Sequence, residues 1–109
     1  MKKIISRHFP FKGYKCMALV WWIIIRKDCK WRFRRIDERH EEIHGRQQRE
    51  MLIVPFFLWY AVEFLVRLCI YRNWRTAYKN ISFEREAYDR QYELGYLDYR
   101  KKFAWIKYL

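Results

Sequence analysis

Met51 to Tyr71 is a run of 21 residues, apolar apart from Pro55, Glu63 and Arg67, and it limits the folds open to this chain more than any other feature. A helix needs about 20 apolar residues to cross a bilayer, so by length the run is a candidate span. Glu63 and Arg67 stand four apart, on one helix face, where they can neutralise each other. Charged side chains at mid-bilayer still cost roughly 2.5–3.5 kcal/mol each on insertion scales. Pro55 breaks any helix entering from the N-terminal side. Whether the run crosses a membrane or folds back depends on what its two flanks must do together.

The flank before it, residues 36–54, has no proline and is rich in Glu, Arg and Gln, which favour helix. Asp37 is placed to cap its start, and Gly45 weakens it by about 1 kcal/mol relative to alanine. Ile36, His40, Ile43, His44, Gln47 and Met51 recur at helical spacing, so both histidines share the apolar face. His40-Glu41-Glu42-Ile43-His44 is an H-E-x-x-H motif. The i,i+4 spacing stacks two imidazoles so that both reach one tetrahedral zinc. Glu41, beside the first of them, can take a proton from water at the fourth coordination position and so act as general base. Gln47, one turn beyond His44, is placed to contact that histidine from behind. The plain alternative is a charged helix face that happens to carry two histidines.

A third protein ligand is needed. His8 lies in the basic N-terminal segment, so the better candidates are Glu84 and Glu86 in S-F-E-R-E-A-Y-D. Acids in a first helical turn also offset the helix dipole, which accounts for both without a metal. If Met51–Tyr71 spanned a bilayer, about 30 Å of hydrocarbon would part His44 from either glutamate, against metal–ligand bonds of about 2 Å. A shared zinc therefore predicts a break at Pro55 and an apolar helix returned along the motif helix, buried or sunk into one leaflet.

The remaining segments complete a fold class of α+β, mainly α, in one domain over 1–109. Residues 1–35 form a basic segment with Pro10 and Gly13 as turn formers and a short N-terminal β-hairpin. Met17–Arg26 is its buried strand, Arg26–Asp28 the turn and Trp31–Arg34 the edge strand. The H-E-x-x-H helix over 36–54 and the apolar helix over 55–72 follow. A glutamate-bearing helix over 82–94 is capped by Ser82 and stopped by Gly95. Residues 95–109 form a basic, aromatic tail.

Lys and Arg number 24 against 12 acids, a net charge of +12. Such a surplus attracts nucleic acid or anionic lipid. Arginines interleaved with glutamates around 38–50, and the lack of a recognisable binding motif, disfavour nucleic acid. The aromatic content of 21% suits a lipid–water boundary, so an anionic membrane surface is the expected partner. Cys16, Cys29 and Cys69 are odd in number and lack C-x-x-C spacing, which predicts free thiols. The late, short apolar run Met17–Ile25 does not read as a signal peptide.

H-E-x-I-H-x-x-Q followed by Phe83-Glu84-Arg85-Glu86-Ala87 resembles the gluzincin arrangement of the HtpX and CAAX-prenyl-protease type membrane metallopeptidases. That resemblance implies a zinc peptidase with His40, His44 and Glu84 as ligands, Glu86 being the lesser choice, and Glu41 as catalytic base. The family carries Asp where this chain has Tyr88, and Asp89 stands one residue late. Nearly the whole chain, including Pro10 to Gly13 and Asn80 to Tyr88, is also similar to small zincin-like proteins of Bacteroides-type bacteria. This implies the cytoplasmic side of a bacterial inner membrane and an unspecified peptide or protein substrate. The alternatives are an inactive zinc-binding relative and a non-catalytic basic membrane-surface or single-span protein.

Overall fold

The structure, a computed structural model, describes residues 1–8 and 14–109. Strands β1 (Lys2–Ser6), β2 (Cys16–Leu19) and β3 (Trp22–Arg26) form one sheet in the order β1-β3-β2. β1 runs parallel and β2 antiparallel to β3. A 3-10 helix, Lys27–Arg32, leads into α1 (Arg35–Glu50), α2 (Val54–Tyr71), α3 (Trp74–Lys79), α4 (Ser82–Arg90) and α5 (Tyr96–Tyr99). A 3-10 turn, Ala104–Tyr108, closes the chain. The protein is α+β and mainly α.

The hairpin differs from the expected one. Met17–Arg26 is not a single strand; it turns at Val20-Trp21 and pairs with itself, Leu19 opposite Trp22. Trp31–Arg34 is not an edge strand, because β1 takes that side of β3. The β-branched run hides this turn, since Val20 sits at φ 55° with no glycine or asparagine to mark it. Pro10 and Gly13 lie outside the described residues. α1 starts at Arg35, so Asp37 is not the N-cap; its carboxylate accepts the Arg34 backbone N–H at 2.9 Å from one turn inside. Gly45 in α1 admits Met1, for a Cβ there would come within 2.8 Å of the Met1 Cε. The segment before α4 also holds a helix that composition did not reveal, α3, capped by Asn73 accepting from Thr76 N–H at 3.1 Å.

Between α1 and α2 the chain reverses over three residues. Ile53 adopts φ 66°, ψ −71°, and the Val54 N–H bonds the Leu52 carbonyl at 2.8 Å, a γ-turn that costs a β-branched residue strain. Pro55 then sits in the first turn of α2, where its missing N–H leaves no intrahelical bond unmade. α2 thus returns beside the motif helix instead of leading away from it.

One face of α2 carries Phe56, Tyr60 and Phe64 against Ile81, Phe83 and Trp105, the larger core cluster. Glu63, on the same face, accepts from the Ser82 backbone N–H and the Ser82 hydroxyl, both at 2.6 Å. Ser82 is therefore the first residue of α4 rather than its cap, and Glu63 satisfies the helix N-terminus from outside. Arg67 holds Glu63 at 3.6 Å, the pairing read from the i,i+4 spacing. The opposite face, with Leu58, Val62, Leu65, Val66 and Ile70, is exposed, and only 11% of α2 is buried. α4 stops at Arg90, short of Gly95, which instead precedes α5 at φ 75°. The tail is pinned by Arg100, which donates to Glu86 at 2.5 Å and to Glu50 at 2.7 Å.

Replacing Ile53 with glycine relieves the γ-turn while removing a side chain that is already 37% exposed. The expected result is a folded protein at least as stable as the parent, by up to about 1 kcal/mol in chemical denaturation. A clear loss of stability would show that the turn is not strained.

Candidate metal centre

α1 presents His40 and His44 one turn apart, and α4 brings Glu84 to face them because its first turn is fixed on Glu63. The three functional atoms form a nearly equilateral triangle. His40 Nε2 to Glu84 Oε1, His44 Nε2 to Glu84 Oε1, and His44 Nε2 to His40 Nε2 are each 3.1 Å. All three side chains are buried.

The far ring nitrogens determine what those near atoms can do. His40 Nδ1 lies 2.7 Å from Gln91 Oε1, and His44 Nδ1 lies 2.8 Å from Gln47 Oε1. The Gln47 amide cannot turn round, because its nitrogen donates to the Phe83 carbonyl at 3.1 Å and to Glu86 at 2.9 Å. An amide oxygen only accepts, so the His44 Nδ1 carries the proton, and with Gln91 Oε1 facing His40 the same holds there; each neutral ring then turns an Nε2 lone pair inward. Two imidazole lone pairs and a carboxylate then meet with no donor among them. Such a set repels itself unless a positive charge enters, and the two candidates are a proton and a metal ion.

Without a metal, the proton serves. Burial alone would lower the His44 pKa, but Glu84 beside it outweighs that and pushes it up to about 9. Burial would raise Glu84, and the histidines outweigh it in turn, holding that carboxyl well below the usual range. With a metal, the geometry is equally suitable. An ion about 2.0–2.1 Å from three atoms spaced in this way would subtend angles near 100°, close to tetrahedral.

Glu41 is buried next to this triangle, and burial raises its pKa, an effect that His44 and His40 only partly offset. The Ala18 N–H of β2 donates to its carboxylate, and the Cys16 thiol approaches it at 3.7 Å. Tyr60 from α2 donates to the second Glu84 oxygen at 2.8 Å, which leaves Oε1 turned to the histidines.

Of the site residues read from sequence, His40, His44, Glu84 and Glu41 come together, and Gln47 makes the expected contact behind His44. Glu86 does not face the triangle. It is fully buried on the other side of α4, bonded to Arg100, Tyr96 and Gln47, and Arg100 foremost among these partners holds its carboxyl below the ordinary range against the effect of burial. His8 is exposed and apart. Two residues were missed. Gln91 has no motif to announce it, and Tyr60 read only as part of an apolar run. Tyr88, at the position of the family's Asp, packs edge-on against the His40 ring at 4.5 Å, while Asp89 accepts from Tyr108 at 2.6 Å. The contact behind His40 is made by Gln91 and not by Tyr88 or Asp89. No family model, curated protein or solved structure matches the chain.

The protonated pair predicts a pH dependence. A histidine whose pKa rises on folding adds stability that is complete below about 6.5 and is lost as pH climbs through about 9. Glu84, lowered on folding, adds stability that is lost only on acidification. Metal-free protein in chelator should therefore melt at progressively lower temperature from pH 7 to about 9.5, and His44→Gln should flatten that slope. An unchanged slope in the variant would remove His44 as its source.

Proposed function

We propose that the protein is a zinc-dependent, gluzincin-like peptidase, with His40, His44 and Glu84 as metal ligands and Glu41 as general base. The observation that carries this reading is the triangle of inward lone pairs, each 3.1 Å from the next, with both Nδ1 protons committed to glutamine oxygens. Nitrogen and carboxylate donors with tethered far sides suit zinc better than the all-oxygen cages of calcium or magnesium. The arrangement resembles the zincin order of H-E-x-x-H and a glutamate on a later helix, with Gln91 behind His40.

A zinc ion held there would polarise a substrate carbonyl and make water acidic enough to lose a proton near neutrality. Glu41 would take that proton as the water oxygen bonds to the carbonyl carbon. It would return the proton to the amide nitrogen as the C–N bond breaks, giving an amine and a carboxylic acid, which keeps the second proton of the water until it ionises in solution. Its burial, which raises its pKa, favours this exchange of roles. The Ala18 N–H fixes the carboxylate in place.

The same reading puts the protein on an anionic membrane surface. The exposed apolar face of α2 is contiguous, and the chain carries a net charge of +12. Glu63, midway along α2, is tied to Ser82 at the start of α4, so the helix lies against the domain along its length and suits one leaflet better than a crossing.

Elemental analysis of purified protein should give about one zinc per chain, lost in His40→Ala and Glu84→Ala and kept in Glu41→Gln. On a peptide library the Glu41→Gln protein should cleave at least about 100-fold more slowly than wild type. Equal rates would end the peptidase assignment, and no zinc in wild type would end the metal. In flotation assays the protein should bind vesicles containing phosphatidylglycerol, less so phosphatidylcholine alone, and weaken with salt. A Leu58→Asp, Val66→Asp double variant should stay in solution with its zinc intact. If that variant floats as well as the parent, the outer face of α2 is not the membrane surface.

A further inference from the structure

A cavity of about 350 Å³ opens between β2 and α2, and its wall includes Glu41, His44 and Glu84. The candidate metal centre is therefore part of the cavity surface, not a neighbour of it. Away from those three groups the wall is mostly apolar, with Met17, Phe56, Phe57 and Phe64. Among the described residues that line it, no others carry charge.

Apart from Tyr14 at the rim, which is 36% exposed, the uncharged polar groups of the wall are largely committed. The Tyr60 hydroxyl donates to Glu84, and the Tyr78 hydroxyl is bonded with Tyr88. Gln48 accepts the Val20 N–H at 2.5 Å and donates to the Ala18 carbonyl at 2.9 Å. A polar or charged group entering here would lose its water and find few partners, which is costly. A large apolar group would lose only unfavourable hydration.

The cavity also bears on how a peptide is held. Zincins commonly lay an extended substrate along an edge strand, and β2 is at the sheet edge. Here the Ala18 N–H and carbonyl, which point off β2, are taken by Glu41 and Gln48 of α1. The strand has little left at this point to offer a peptide backbone. Selection then falls to the side chain that fills the cavity.

We propose that this cavity receives a large apolar side chain, aromatic or long aliphatic, next to the scissile bond, so that the substrate class is peptides bearing such a residue at the cleavage site. The inference rests on the metal reading, because the cavity gains its meaning from the centre in its wall. The volume holds a phenylalanine or tryptophan side chain and lies at the lower end of the range for small-molecule sites. Specificity comes from apolar burial beside the metal more than from a hydrogen-bonded strand.

The test uses hydroxamates, which chelate zinc whatever side arm they carry, titrated calorimetrically into the full zinc-loaded chain. Arms of methyl, benzyl, naphthylmethyl and carboxymethyl are compared, with zinc content measured on the same sample. Benzyl and naphthylmethyl hydroxamates should bind at least about ten-fold more tightly than acetohydroxamate, and the carboxymethyl arm more weakly. Met17→Trp, which fills the cavity, should bring the benzyl-to-methyl ratio towards one, and Phe64→Trp provides the same check should the first variant fold poorly. Bound zinc with an affinity series that ignores the arm overturns the cavity proposal and leaves the metal centre standing. A benzyl preference that survives in a folded, filled variant also overturns it. Absence of zinc from the wild type overturns both.

Discussion

A buried carboxylate that must be matched by positive charge governs this structure. Glu84 is 3% exposed, and among the described residues its ion-pair partners are the two imidazoles. Two histidines on adjacent turns of α1 supply the match, either by holding a proton or by sharing a metal. Removing a carboxylate from water without such a partner costs several kcal/mol, a large part of what a domain of 109 residues can muster. Much of the surrounding structure can be understood as keeping these three atoms at one spacing.

The support is polar and continuous. Arg100 binds Glu86, Glu86 fixes the Gln47 amide, and Gln47 sets the His44 tautomer. Gln91, just past the end of α4, does the same for His40, and the backbone carbonyl of that residue is itself held by Arg39 at 2.8 Å. Along the branch from Arg100 to His44 each link is a donor facing an acceptor that cannot reverse its role, so the tail at Arg100 affects the direction of a lone pair in the centre. This explains how so short a chain holds a buried cluster of titratable groups. Hydrogen bonds to charged partners stabilise more than neutral ones and specify direction as well.

α2 serves two environments at once. Its inner face gives Tyr60 to Glu84 and Glu63 to the start of α4, so it helps position the centre. Its outer face is apolar and exposed, a surface that water alone does not favour. The γ-turn at Ile53 is what allows both, since it sends the helix back along α1 within three residues. A gentler connection would separate α2 from α1 and take Glu84 away from the histidines.

The sequence by itself determined the fold class, the convergence demanded of His40, His44 and a later glutamate, and the need for a reversal near Pro55. Those follow from local periodicity and from one length argument, because a bilayer and a metal–ligand bond differ so widely in scale. It left open which glutamate faces the histidines, for Glu84 and Glu86 stand two apart on α4 and differ in which side of that helix they occupy. Sequence reading placed the hairpin turn one strand too late, because a β-branched run shows no break at Val20, and it gave Ser82 a capping role that Glu63 fills. Gln91, Tyr60 and the committed edge of β2 were settled only by tertiary structure. Each acts through a partner distant in sequence, and hydrogen bonds between remote residues leave no periodic trace in a single chain.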